Sequence, residues 1–173
     1  MSKSKQLFSL VFLSSLLIAC ASDKSVDDGR NEKLSKKKIM NSFPIDVTKA
    51  NINISSFNGD LLITGQVPRE ELVRLATAQA NTLRNVREVF NYLEVMGETS
   101  FLSKANDRFI TNKIRSRLQD SKLLRMGKIH IVTEYGVAYL MGTLKKEEIE
   151  MTLTLIQETD GVQKAVSLVR LKK

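Results

Sequence analysis

The sequence predicts an α+β protein made of two tandem αββαβ units, each a three-stranded mixed sheet with two helices packed on one face. Three observations carry that prediction. The 173-residue chain matches itself at an offset of 77: Ile54-Ser-Ser-Phe-Asn-Gly59 falls on Ile131-Val-Thr-Glu-Tyr-Gly136, Gly65 on Gly142, Glu70-Glu71 on Glu147-Glu148 and Leu72 on Ile149, and a one-residue slip then sets Val86 on Val162. Within each copy, runs rich in Ile, Val and Tyr alternate with stretches of helical spacing. A content of 42% hydrophobic and 27% charged residues is that of a globular protein, so disorder is not expected.

The elements follow in order. A first helix over 32–42 has only Leu34, Ile39, Met40 and Phe43 to bury and is interrupted by Lys36-Lys37-Lys38. Strands over 51–56 and 61–65 are joined by Asn58-Gly59, a hairpin signal because both central residues of a type I′ turn need φ > 0. Pro68 suits a first helical position, Glu70 and Glu71 suit the positive end of a helix, and Leu72, Leu75, Ala76 and Leu83 recur at helical spacing. A strand over 86–95 closes the copy. In the second copy Ile110, Ile114 and Leu118 mark a helix over 106–119, and strands over 128–134 and 137–141 flank a turn at Tyr135-Gly136. Ile149, Leu153 and Ile156 stripe a helix that starts at Glu147-Glu148, and a strand over 162–171 ends the unit. The chain divides into a leader 1–19, a tether 20–29, a first unit 30–97, a linker 98–105 and a second unit 106–173. About 65 residues bury too little surface to be comfortable alone, so the units are expected to share an interface.

The leader has Lys3 and Lys5 before an apolar run from Leu7 to Ala19, the pattern of a secretory signal. Those thirteen apolar-region residues are too few to span a bilayer. Leu17-Ile18-Ala19-Cys20 resembles the lipobox of bacterial lipoproteins. The resemblance implies cleavage before Cys20 and acylation of its thiol and new amine, with several acyl chains holding the protein at its first residue. Ala21 and Ser22 follow, with no aspartate next to the cysteine; in Gram-negative lipoproteins this implies the outer membrane, facing the periplasm.

The αββαβ unit, with Gly at its hairpin, Gly closing its second strand and Gly161-Val162 opening its last, resembles the BON domain. Two such units behind a lipobox resemble the dual-BON outer-membrane lipoproteins, and Ser103-Lys-Ala-Asn-Asp-Arg-Phe-Ile-Thr-Asn-Lys-Ile-Arg-Ser-Arg-Leu118 is similar to that family's second-domain opening. Asn85 stands where the second copy has Gly161. The resemblance implies a non-enzymatic protein that binds anionic phospholipids of the outer membrane's inner leaflet through this helix and maintains envelope integrity.

The residues themselves allow that role. The formal charge is +8, and the excess is +3 over 30–97 but +6 over 104–173. Such a surface attracts nucleic acid or anionic membrane, and export leaves the membrane. At about 100° per residue, Phe109 points about 140° from the middle of the Ile110-Ile114-Leu118 stripe. Lys113 and Ser116 are its neighbours, Arg108 and Arg115 flank one side and Arg117 lies beyond Lys113. Phe109 is left either to touch lipid or to pack against the first unit or the linker.

No catalytic constellation is expected. His130, the sole histidine, should face away from its strand's apolar side into solvent or at an edge. Adjacent glutamates diverge around a helix, the glycines fit no phosphate-cradling pattern, and no cofactor, metal or small-molecule substrate is implied. The alternative to lipid binding is a protein-binding scaffold for an envelope partner, such as a cell-wall hydrolase regulator or the outer-membrane assembly machinery.

Overall fold

The structure, a computed structural model, describes residues 24–45, 47, 50–97 and 100–172. The leader and Cys20 lie outside them. The chain runs α1 (Lys24–Ser42), β1 (Asn51–Phe57), β2 (Asp60–Val67), α2 (Glu70–Ala80), β3 (Glu88–Val95), α3 (Phe101–Ser121), β4 (Ile129–Glu134), β5 (Val137–Leu144), α4 (Lys146–Gln157) and β6 (Lys164–Leu171), with a 3-10 turn before β4. Each unit is a three-stranded sheet, ordered β1-β2-β3 or β4-β5-β6. The first pair is an antiparallel hairpin and the last pair is parallel, which requires the α2 or α4 crossover between them. These are the two mixed sheets with helices that the repeat predicts.

The turns have the predicted backbone: φ is positive at Asn58 and Gly59, and at Tyr135 and Gly136. Gly65 and Gly142 are fixed by the close approach of the paired strand. A Cβ on Gly65 would lie 2.0 Å from the Asn51 carbonyl oxygen, and one on Gly142 would lie 2.7 Å from that of Lys128. The neighbouring strand approaches too closely for any side chain.

Period-2 alternation sorts the strand residues between two environments. Leu61, Ile63 and Val67 point to α1 and α2 and join Ile39, Leu72 and Ala76 in one core. Ala138, Leu140 and Leu144 join Ile110, Ile114, Leu118 and Ile156 in a second. The alternate residues Leu62, Tyr139, Met141 and Leu168 meet in a third cluster, with Phe57, Phe90 and Val132 against it. The sheets therefore stack face to face, and the molecule has four layers: α1 and α2, sheet, sheet, α3 and α4. The expected shared interface is this seam.

The seam has an approximate twofold axis. Asn53 Nδ2 donates to Glu134 Oε2 at 2.8 Å, and Phe57 stacks on His130 at 6.1 Å. At the repeat offset Asn53 corresponds to His130 and Phe57 to Glu134, so each pair is the other's symmetry mate. Asp60, buried at one end, accepts bidentate hydrogen bonds from Arg87 of its own unit and from Arg170 of the other, which also reaches Glu88.

Four expectations are corrected. Helix α1 begins at Lys24, so the second half of the stretch read as a tether is helical. Its inner positions are Asp28, Asn31, Ser35 and Ile39, while Leu34 and Met40 are exposed; polar side chains in the helix interface hide it from a search for apolar periodicity. Helix α3 begins at Phe101, inside the stretch read as a linker, because Ser100 caps it by accepting from the Ser103 N–H at 3.2 Å. His130 does face away from its strand's helix-packed side, but onto the first unit's sheet, against Phe57. Its half-buried ring there is held below the ordinary imidazole pKa, by burial first and by the charge of Arg115 second.

Candidate lipid-facing surface

Helix α3 is anchored along its inner face. Ile110, Ile114 and Leu118 are buried one turn apart, and Asp107 precedes them on the same line. The Asp107 carboxylate accepts the backbone N–H groups of Tyr135 and Gly136, both at 2.9 Å, which pins the helix to the β4–β5 turn. Asp28 does the same in the first unit, accepting from Asn58 N, Gly59 N and the Ser56 hydroxyl at 2.7–2.9 Å. Neither aspartate was singled out from the sequence. Their common signal is an acidic residue one turn before each inward helical stripe.

With the inner face fixed, the opposite face must meet solvent. There Phe101, Ala105 and Phe109 follow one another at i, i+4 and i+8, with Leu102 beside them. Phe101 is 83% exposed, Leu102 78% and Phe109 63%. Phe109 lies outside all three apolar clusters. The helix thus carries a second apolar strip, pointing out. Phe101 and Leu102 were missed because the residues before 106 were read as linker.

The basic residues divide along this strip. Arg108 and Arg115 lie on one flank, Lys113 and Arg117 on the other, and Ser116 is exposed between them. Arg108 makes no hydrogen bond or ion pair among the described residues. Arg115 Nη2 donates to the Ile131 carbonyl of edge strand β4 at 3.3 Å. The Lys113 ammonium sits 5.4 Å over the Phe109 ring and 3.3 Å from Asp160, which is almost wholly exposed. Such a surface ion pair is weak enough to exchange for another anion. Arg117 is spent differently. Its guanidinium donates to the Leu155 carbonyl at 3.3 Å and the Thr159 hydroxyl at 3.0 Å, with Glu158 at 3.8 Å, and so fastens the end of α4 to α3. The structure brings Phe109, Arg108, Lys113, Arg115 and Ser116 to one surface and commits the Arg117 guanidinium to the end of α4. No helix among the described residues is long and apolar enough to cross a membrane.

Comparison with known proteins agrees with this architecture. The chain is 26% identical over 117 residues to outer membrane lipoprotein DolP of Haemophilus influenzae, across 68% of this chain and 61% of that protein. It is 24% identical over 121 residues to a 21 kDa hemolysin of Actinobacillus pleuropneumoniae, across 70% of this chain and 62% of the relative. The chain thus spans about three fifths of the length of these curated relatives. The C-terminal domain of CdsD, a structural protein of the Type III secretion system of Chlamydia trachomatis, overlays at a TM-score of 0.35 with 11% identity, covering 82% of this chain and 96% of that one, a likeness too low to carry weight. The BON domain model matches residues 31–97 and again 106–173, the same two segments that the repeat and the twin sheets delimit. The chain belongs to the BON-domain family, with two copies of the domain packed sheet to sheet.

Proposed function

We propose that the protein is a non-enzymatic periplasmic lipoprotein, anchored to the outer membrane through acylated Cys20, that binds anionic phospholipids through α3 and maintains outer-membrane integrity. The observation that carries this reading is the exposed strip Phe101-Leu102-Phe109 with unpaired or weakly paired cations on both flanks. Buried apolar area stabilises an interfacial helix at about 25 cal/mol per Å². Each basic residue near an anionic surface adds about 1 kcal/mol. An outer-membrane lipoprotein among the relatives supports the location.

The test uses unacylated Cys20→Ser protein and flotation with phosphatidylglycerol or phosphatidylcholine vesicles. Binding is expected to the anionic vesicles alone and to weaken at least tenfold in Phe109→Ala/Lys113→Glu, the loss of about 1.4 kcal/mol or more. Equal binding to both vesicle types, or none to either, would overturn the reading and favour docking to an envelope protein.

A further inference from the structure

Strand β4 is an edge strand, and its outer rim is not fully paired. Glu134 and Val137 flank a two-residue turn and form a hydrogen-bonded pair, so Val132 and His130 also bond β5, while Ile131 and Thr133 turn their backbone N–H and C=O groups away from the sheet. The Ile131 carbonyl follows that direction, since it accepts from Arg115. Neither the Ile131 nor the Thr133 N–H has an acceptor among the described residues, although both residues are buried. Buried backbone donors are nearly always paired.

The first unit shows what fits such a donor. Asp28 and Asp107 hold equivalent turns, and four residues further along each helix stand Glu32 and Thr111. The Glu32 carboxylate accepts the outward N–H of Ser56 at 2.8 Å. Ser56 corresponds to Thr133 at the repeat offset, but Thr111 has no carboxylate and bonds the Thr133 hydroxyl instead, at 2.8 Å. The second unit keeps the donor and lacks its acid.

Helix α3 runs antiparallel along this rim. Asp107 meets Tyr135, Thr111 meets Thr133 and Arg115 meets Ile131, so four helical residues, about 6 Å, keep pace with two strand residues, about 7 Å. The trough between them holds a cavity of about 320 Å³ beside Arg115, Gln119 and Ile131 and one of about 220 Å³ beside Lys104, Arg108 and Thr133. Lys104, Arg108 and Arg115 fall within an arc of about 40° at 100° per residue. Lys104 reaches Asn51 of the first unit at 3.0 Å, Arg115 has only the Ile131 carbonyl, and Arg108 has no partner among the described residues. Two carboxylates also border the second cavity, but both are buried and engaged, Asp107 by the β4–β5 turn and Glu134 by the Asn53 and Gln66 amides. The trough is left with free N–H donors and positive charge.

From this we infer that the α3–β4 trough docks an extended acidic segment of a partner protein. The segment adds a strand to β4, its carbonyls accepting from Ile131 and Thr133 and its carboxylates meeting Arg108 and Arg115. Arg115 leaves the Ile131 carbonyl to an N–H of the incoming strand and takes an acid in exchange. This docking uses the Arg108–Arg115 flank of α3 and needs neither Phe109 nor Lys113.

The test titrates unacylated Cys20→Ser protein with a fluorescein-labelled peptide alternating glutamate and valine, and with its lysine–valine counterpart. Anisotropy is expected to rise with the glutamate peptide alone, and the amide proton resonances of Ile131 and Thr133 to move downfield as they gain acceptors. Arg108→Glu/Arg115→Glu, with its fold checked by circular dichroism, is expected to bind the peptide at least tenfold more weakly. Lys145→Glu/Lys146→Glu, the same charge change at the start of α4, is expected to leave binding unchanged. No binding of the glutamate peptide, equal binding by the arginine variant, or binding that leaves the two amides unmoved would overturn the inference. Failure to bind the peptide, together with loss of phosphatidylglycerol vesicle binding in the arginine variant, would assign both arginines to lipid and leave the proposed function standing.

Discussion

Two aspartates set the geometry on which the rest depends. Asp28 and Asp107 each satisfy the N–H groups of a turn whose residues sit at positive φ, including the non-glycine Asn58 and Tyr135. Hydrogen bonds to a charged partner contribute about 1.5–3 kcal/mol, and leaving buried donors unpaired adds to the cost. Asp107→Ala is therefore expected to destabilise by about 3 kcal/mol, read as a lower midpoint of urea unfolding, with Asp107→Asn recovering part of the loss. A second residue contrast explains the missing glycine of the first unit. A Cβ on Gly161 would come within 2.9 Å of the Ile110 side chain, so the second unit keeps that corner bare. In the first unit the residue facing the corner is Asn31, which donates to the Asn85 carbonyl at 3.1 Å. A polar bond has replaced an apolar contact, and the glycine with it.

Helices α1 and α3 occupy matching places but were not equally legible. The strands, both hairpins and helices α2 and α4 were readable because their signals are local: β-rich runs, turn residues and acidic starts. The inner stripe of α3 was readable because Ile110, Ile114 and Leu118 are apolar. Of its outer strip only Phe109 was, since the helix extends upstream of 106 to take in Phe101 and Leu102. In α1 the equivalent inner positions are Asn31, Ser35 and Ile39, and apolar spacing cannot register hydrogen-bonding residues that are nevertheless buried. Ser35 is fully buried and its hydroxyl has no partner among the described residues. Ser35→Ala removes an unsatisfied group and improves helix propensity, so a gain of about 0.5–1 kcal/mol in unfolding free energy is expected from the same urea measurement.

At the scale of the molecule, the seam should respond to acid. Burial works to raise the Asp60 pKa, but hydrogen bonds from Arg87 and Arg170 together with their charge outweigh it, and the group is held below its ordinary 3.8. A carboxylate depressed on folding contributes stability that is present above its unfolded value and is lost as pH falls through the folded one. His130 is lowered from 6.5, mainly by burial, so the folded chain resists its protonation and its share declines as pH falls below that value. Both signs agree. The thermal midpoint of the unacylated protein is expected to fall from pH 7 toward pH 5, less so in His130→Gln, and again below about pH 4, a second step that Asp60→Asn removes.

The near-symmetry of the seam also limits which halves will accept each other. Two copies of the first half in the same arrangement would set Asn53 against Phe57 at both mated positions, stranding an amide donor on a ring. Two copies of the second would set Glu134 against His130 and supply neither Asn53 nor Gln66, whose side chains donate to that carboxylate at 2.8 and 3.0 Å. The duplicated halves have diverged into a lock and its key, so each half accepts its complement and rejects a second copy of itself.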